Sequence, residues 1–360
     1  MTRSLILRLL VLASWFAANF ALAEIKRTAS GTPDLTGTYN VSTLTPMQRP
    51  EQFGNSLELT PAEAEKIMKA EAAAMAEANK NRGPTTSAPP EGGAAPVGVD
   101  DSQRENLGAG NVGGYNFFWI DRGSEVALVD GKFRTSIIVD PPNGRMPAPT
   151  EAGIKRFQAQ RALRKPNDGT AWWVGIDGPG PYDGPESLGI SERCIVGFTG
   201  AAPTFPSLYN NYKRIVQTDD HVMILIEMVH DARVVRMNAT HLPAHQTSHM
   251  GDSVGWWDGD TLVVDTRNFN ATSGQAYGAT EHLQVLERFT PQANGDLFYQ
   301  FTVNDPTIWT TSWTGEYTWR AEQAKVYEYA CHEGNYSMGG ILKGARLLES
   351  EAQAGTSGVD

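Results

Sequence analysis

From residue 115 onward, short apolar stretches alternate with turn dipeptides, the rhythm of consecutive β-strands. Val126-Ala127-Leu128-Val129, then Asp130-Gly131, then residues 132–139 predict a hairpin, because Asp-Gly supplies the positive φ angles of a tight primed turn. The same device recurs at Trp256-Trp257-Asp258-Gly259-Asp260-Thr261-Leu262 and between 283–289 and 297–303, which are joined through Asn294-Gly295. Residues 214–217 and 222–229 form a fourth pair, turning at Thr218-Asp219-Asp220-His221. Val222, Ile224, Ile226 and Met228 share one face of that strand and Met223, Leu225 and Val229 the other, so it is expected to be covered on both sides. Adding 233–237, 313–320 and 326–331 brings the C-terminal half to roughly nine strands.

Hairpins in series make an antiparallel meander, and a meander of this length must hide its edges. The fold expected is mainly β, with the meander closed into a lipocalin-like barrel and a sandwich as second choice. Ahead of it stand a short strand at 34–39 and a helix from Pro61 to about Asn79. That helix is announced by Thr60 as cap, Pro61 at the first helical position and Glu63 at the third. A second helix is expected from Thr150 to about Arg164, within a long loop-rich stretch, 141–206. Residues 82–114, rich in Pro and Gly, read as a flexible linker, and 347–360 as a disordered tail. The domains expected are therefore 24–81, the linker, and a barrel over 115–346.

Residues 1–23 carry Arg3 and Arg8, an apolar run and Ala21-Leu22-Ala23 before Glu24, the layout of a cleaved secretory signal. Periplasmic or secreted location follows, with no stable membrane insertion, and no Cys after the cut to carry a lipid. Removing Arg3 and Arg8 leaves 28 basic residues against 41 acidic ones, a formal charge of −13 that repels nucleic acid and anionic lipid. In an oxidising compartment the two cysteines, Cys194 and Cys331, most simply pair; the alternative is two buried thiols.

The segment Trp257-Asp258-Gly259-Asp260-Thr261-Leu262-Val263-Val264 resembles a block found in a family of exported, mostly uncharacterised bacterial proteins. Arg193-Cys194-Ile195, Val229-His230-Asp231-Ala232-Arg233, Glu287-Arg288-Phe289-Thr290 and Glu328-Tyr329-Ala330-Cys331-His332-Glu333-Gly334-Asn335 extend the likeness. The resemblance implies a shared fold and export, and assigns no catalytic residue.

Six of the seven histidines fall in the stretch from His221 to His282. His241, His245 and His249 stand four residues apart, a spacing that would align metal ligands on a helix, but Pro243 interrupts it, so no metal site is the favoured reading. Glu227 falls in a strongly apolar run, in phase with Asp231 and Arg233, and a carboxylate taken out of water there must pair or raise its pKa. A structural ion pair between Arg233 and Glu227 or Asp231 is the plainer reading; a proton carrier is the functional one. His230, His241, His282 and His332 are the candidate imidazole proton carriers, with Glu227 as carboxylate and Arg233 as anion holder. Tyr209, Asn210, Asn211, Tyr212, Trp256 and Trp257 are the candidate substrate-binding groups.

The sequence has no P-loop and no HExxH, and no G-x-G-x-x-G stands between a strand and a helix as a dinucleotide fold needs. The expected function is thus a cofactor-independent lyase or isomerase, less readily a hydrolase, acting on a small apolar or aromatic molecule in a barrel cavity. A non-catalytic carrier of an apolar ligand in the same cavity is the alternative, and self-association is compatible with either.

Overall fold

The computed structural model describes residues 25–78, 120–163, 165, 169–270 and 280–356. The expected signal sequence, 1–23, and the expected linker, 82–114, lie outside the described residues. The strand order runs β1 (Gly37–Asn40), β6 (Tyr212–Gln217), β7 (His221–Ile226), β8 (Ala232–Met237), β9 (Asp252–Asp258), β10 (Thr261–Arg267), β11 (Gln284–Pro291), β12 (Leu297–Asn304), β13 (Trp313–Ala321), and β13 pairs back onto β1. Nine strands thus close a barrel. β5 (Ile138–Asp140) shares the free edge of β13, covering Thr314 and Gly315 while β1 takes Arg320 and Ala321.

A small second sheet pairs β2 (Glu58–Leu59) and β3 (Leu128–Val129) with β4 (Lys132–Arg134). Its turn residues Asp130 and Gly131 have φ of 50° and 73°, the conformation that Asp-Gly predicts. Helix α1 (Pro61–Ala78) packs its buried Ala64 with Leu59 and Val126 of this layer. The predicted capping box forms: Glu63 N donates to Thr60 Oγ1 at 3.3 Å, and Thr60 N donates to Glu63 Oε2 at 2.8 Å. Thr150 likewise caps α2 (Glu151–Ala162), and α3 (Cys331–Gly334) and α4 (Tyr336–Thr356) end the described chain.

Four expectations are corrected. The barrel begins at β1 rather than at residue 115, because β1 is the strand that joins β13 to β6. Residues 326–330 form no strand and Cys331 opens α3, so β1 takes the ninth place. The meander is interrupted once: β8 and β9 are parallel, Val235 facing Ser253 and Met237 facing Gly255, since the connection 238–251 returns the chain along the barrel. Finally, the chain from 347 onward is not a loose tail as far as Thr356, because it continues α4.

The inner faces meet in one aromatic core. Phe289, Phe301, Tyr299, Tyr317, Trp313 and Trp319 are fully buried, with Tyr299 4.9 Å from both Phe289 and Trp319 between ring centroids. Side chains fill the barrel, as they do in small barrels generally. Within this core Arg233 is clamped by Glu287, its Nη2 donating to Oε1 at 2.9 Å and its Nη1 to Oε2, while Tyr299 Oη donates to Oε1 at 2.7 Å. The predicted pairing of Arg233 with Glu227 or Asp231 is therefore replaced by one with Glu287. β8 faces inward at Arg233, Val235 and Met237, whereas Glu227 and Asp231 lie outside any strand.

Candidate active site

The chemistry gathers at one end of the barrel, where β6 begins and β7 ends. The strand reading for 222–229 stops early: β7 ends at Ile226, and residues 227–231 form a tight turn into β8. Val229 has φ 58° and ψ 12°, and His230 has φ 50°. A β-branched residue there costs about 1–3 kcal/mol, and such outliers cluster at functional sites. The turn is held from both sides. Ile226 N donates to Asp231 O at 2.7 Å, and Gly197 N donates to Asp231 Oδ2 at 2.8 Å. A Cβ at Gly200 would sit 2.1 Å from the same oxygen, so a larger residue there would have to displace the carboxylate.

Above the turn lies a cavity of about 340 Å³ lined by Asp121, Tyr209, Asn210, Asn211, Tyr212, Glu227 and Tyr329, a size that suits a small ligand. Asn210 takes the left-handed conformation, φ 54°, which asparagine tolerates. Asn211 is spent on the loop itself: its Nδ2 donates to Asp121 O at 2.7 Å and Ser207 O at 2.9 Å, and its Oδ1 accepts from Ser207 N. Tyr212 Oη donates to Glu322 Oε2 at 2.8 Å, which fixes the ring as one wall. Tyr329 forms another wall. It lies two residues before Cys331, and the predicted disulfide Cys194–Cys331 is present, its Cα atoms 5.8 Å apart.

Glu227 is the reactive candidate. It is only 6 % exposed, and burial raises its pKa above the ordinary 4.5. The amides of Tyr212 and Tyr327, the Lys213 ammonium and the Asn210 side chain pull the other way. Asp231, 8 % exposed, is also raised by burial, against Gly197 N–H, His230 and Lys213. Tyr212 is pushed up to about 12 by burial and by Glu322, so its phenol stays protonated. Burial next to Tyr209 raises Tyr329 as well. A carboxyl held toward its protonated form beside phenols and amides is suited both to give and to take a proton.

Five of the sequence-derived residues, Tyr209, Asn210, Asn211, Tyr212 and Glu227, thus line one cavity. The imidazoles do not join them, and none of the four candidates lies inside the barrel. His230 is on the turn but exposed, because β7 ends before it and the strand phase no longer applies. His282 is exposed beside Glu281, and His332 is exposed on α3. Just past α3, Asn335 reaches the Cys194 loop and donates to Glu192 O at 2.8 Å. His241 lies on the barrel's outer face, Nδ1 2.9 Å from Asp252 Oδ2 and Nε2 3.3 Å from Asp265 Oδ2. His245 is exposed, and among the described residues no group of three or more His, Cys, Asp or Glu side chains is placed to hold a metal ion.

Arg233 has both terminal nitrogens on Glu287 and faces the core rather than the cavity. Trp256 and Trp257 sit on β9 beyond Gly255, which pairs with the end of β8 far from the turn, so they are remote from the cavity. Asp121, Lys213 and Tyr329 belong to the site although sequence reasoning does not single them out. Lys213 carries a signal, since strand alternation puts it in phase with Ile215 on the inner face. Tyr329 carries little, because the disulfide and not a strand places it.

No protein-family model, no curated protein and no solved structure matches the chain. The class is accordingly defined by fold and site alone: a closed, filled β-barrel with a polar aromatic cavity over a strained turn.

Proposed function

We propose that this is an exported, cofactor-independent acid-base enzyme that moves a proton on a small aromatic or apolar molecule bound over the turn 227–231, with Glu227 as the proton carrier. The observation that carries the reading is the Glu227 carboxyl, buried at the end of an apolar strand yet lining the cavity, with its pKa raised by burial. Tyr209, Tyr212 and Tyr329 supply ring surface for the guest, and Asn210 orients the carboxyl. One group that takes a proton and returns it elsewhere suits isomerisation or elimination better than hydrolysis, which needs a nucleophile and oxyanion donors besides. The Cys194–Cys331 bond fits an oxidising periplasmic or extracellular setting, and no described helix is long and apolar enough to cross a membrane. With the interior filled by side chains, the reading sets the guest at the barrel's end rather than in the lumen that the sequence suggested.

The test incubates mature protein and its Glu227→Gln variant with a fractionated small-molecule extract and follows both bound and free species by mass spectrometry. The expected result is a compound that wild type converts and the variant retains unchanged. If both forms retain the same compound unconverted, the protein is a carrier and the proposal fails.

A further inference from the structure

Directly beneath the proposed site, Lys213 on β6 points into the core with no exposed surface, and its Nζ has no hydrogen-bond partner among the described residues. It stands opposite Tyr39 on β1 and Ile226 on β7. Ile226 is the residue before Glu227, and Tyr212, the residue before Lys213, donates its backbone N–H to Glu227 Oε2 at 3.2 Å. A methionine or leucine would pack in such a slot without the cost of burying an amine. The two charged groups that act on Lys213 are Glu227 and Asp231, one at each end of the strained turn. His230 acts in turn on Asp231, and Tyr39 spends its hydroxyl on Leu35 O at 2.9 Å. Arg233, the other inward cation nearby, is already neutralised by Glu287.

We infer that Lys213 is the positioning residue of the Glu227 site: a sealed ammonium that sets the charge of the carboxyl from behind while substrate meets it only from the cavity. This rests on the reading of Glu227 as the proton carrier. Burial brings Lys213 down to about 7, with the two carboxylates opposing the fall. Lys213 in turn lowers Glu227 against burial, so the two groups titrate as a coupled set rather than singly. Around neutrality the amine can therefore change charge, and with it the readiness of Glu227 to release or accept a proton. Access stays one-sided, because Glu227 lines the cavity and Lys213 does not.

Two reciprocal NMR titrations on the full mature chain test the inference. In the first, the ¹³C carboxyl signal of Glu227 is followed with pH in wild type and in Lys213→Met, the signal being assigned by its loss in Glu227→Gln. The midpoint is expected to rise by about one to three units when the ammonium is removed, the size of an opposite-charge effect at close range. In the second, the Lys213 side-chain signal is followed in wild type and in Glu227→Gln, where its midpoint is expected to fall. Reciprocity makes this second measurement sufficient if Lys213→Met does not fold. Unmoved midpoints overturn the inference. Should the midpoints move while Glu227→Gln keeps turnover, the coupling stands and the enzymatic reading falls; should they stay while turnover is lost, only the inference about Lys213 falls.

Discussion

Glu227 and Tyr212 hold each other across the end of the β6–β7 ladder: Glu227 N donates to Tyr212 O at 3.1 Å, and Tyr212 N donates to Glu227 Oε2 at 3.2 Å. The first bond continues the sheet for one residue after β7 has ended. The second turns the carboxyl back over the barrel's end, where a buried acid and the cavity floor become the same group.

Keeping Glu227 there costs stability, and the cost has a pH signature. Burial raises its folded pKa above 4.5, so the folded state holds the proton longer than the unfolded chain does. Its contribution is complete below that value and is lost as pH rises through the folded one. Glu227→Gln is expected to be more stable than wild type at pH 7 by about 0.5–2 kcal/mol and equal to it near pH 4. Denaturant unfolding at the two pH values checks this, and a difference independent of pH would count against a buried ionising carboxyl.

Lys213 gives the opposite slope in a different window. Its folded pKa is lowered to about 7 from 10.5, so between those values the unfolded chain binds the proton that the folded protein lacks. Stability attributable to this residue therefore rises with pH across the window and carries its full penalty below it. Lys213→Met should be more stable than wild type at pH 7, and its advantage should shrink by pH 10, as thermal melts at the two pH values would show.

The disulfide is expected to act on the cavity as well as on overall stability. It joins residues 137 apart in sequence, and Tyr329, two residues away, lines the site. Cys331→Ser should cost about 2–5 kcal/mol. It should also speed amide exchange across 322–330 and weaken binding of a cavity ligand more than it slows turnover. Exchange rates in that segment unchanged by reduction would remove the disulfide from the site's architecture.

Within the core, Arg233 and Glu287 should behave as one unit. Removing either partner, as in Arg233→Met, leaves a buried charge and is expected to cost about 3–5 kcal/mol. The double variant Arg233→Met with Glu287→Leu should recover most of that loss. Additive losses in a double-mutant cycle would show that the two side chains are not paired in solution.

His241 fastens the one connection that breaks the antiparallel order. Both ring nitrogens face carboxylates, Asp252 on β9 and Asp265 on β10. His241→Ala should cost about 1–3 kcal/mol and speed exchange over 238–251 without touching the cavity. Added Zn²⁺ is expected to leave the melting temperature of wild type unchanged; a metal-dependent rise would restore the histidine cluster as a metal site.

Much of this architecture is legible in the order of residues. The cap at Thr60, the Asp130-Gly131 turn and the alternation of Val222, Ile224 and Ile226 are decided by neighbours a few residues away, so local chemistry suffices to predict them. Glu227 stands out for the same reason, as a lone carboxylate in an apolar run. The histidines mislead because strand phase does not extend past Ile226, where the backbone turns, and because His241 answers to carboxylates on two other strands.

Local pattern alone calls for strands of period two that must hide their edges, in a barrel or a sandwich, and sets one acid, Glu227, in an apolar run. Which residues share an end of the barrel is settled by the assembled fold: Arg233 goes to Glu287, Lys213 lies beneath Glu227, and Tyr329 walls the cavity through a distant disulfide. Strand alternation tells each side chain which way to face, but its partners depend on ladder order and register across the whole closed sheet.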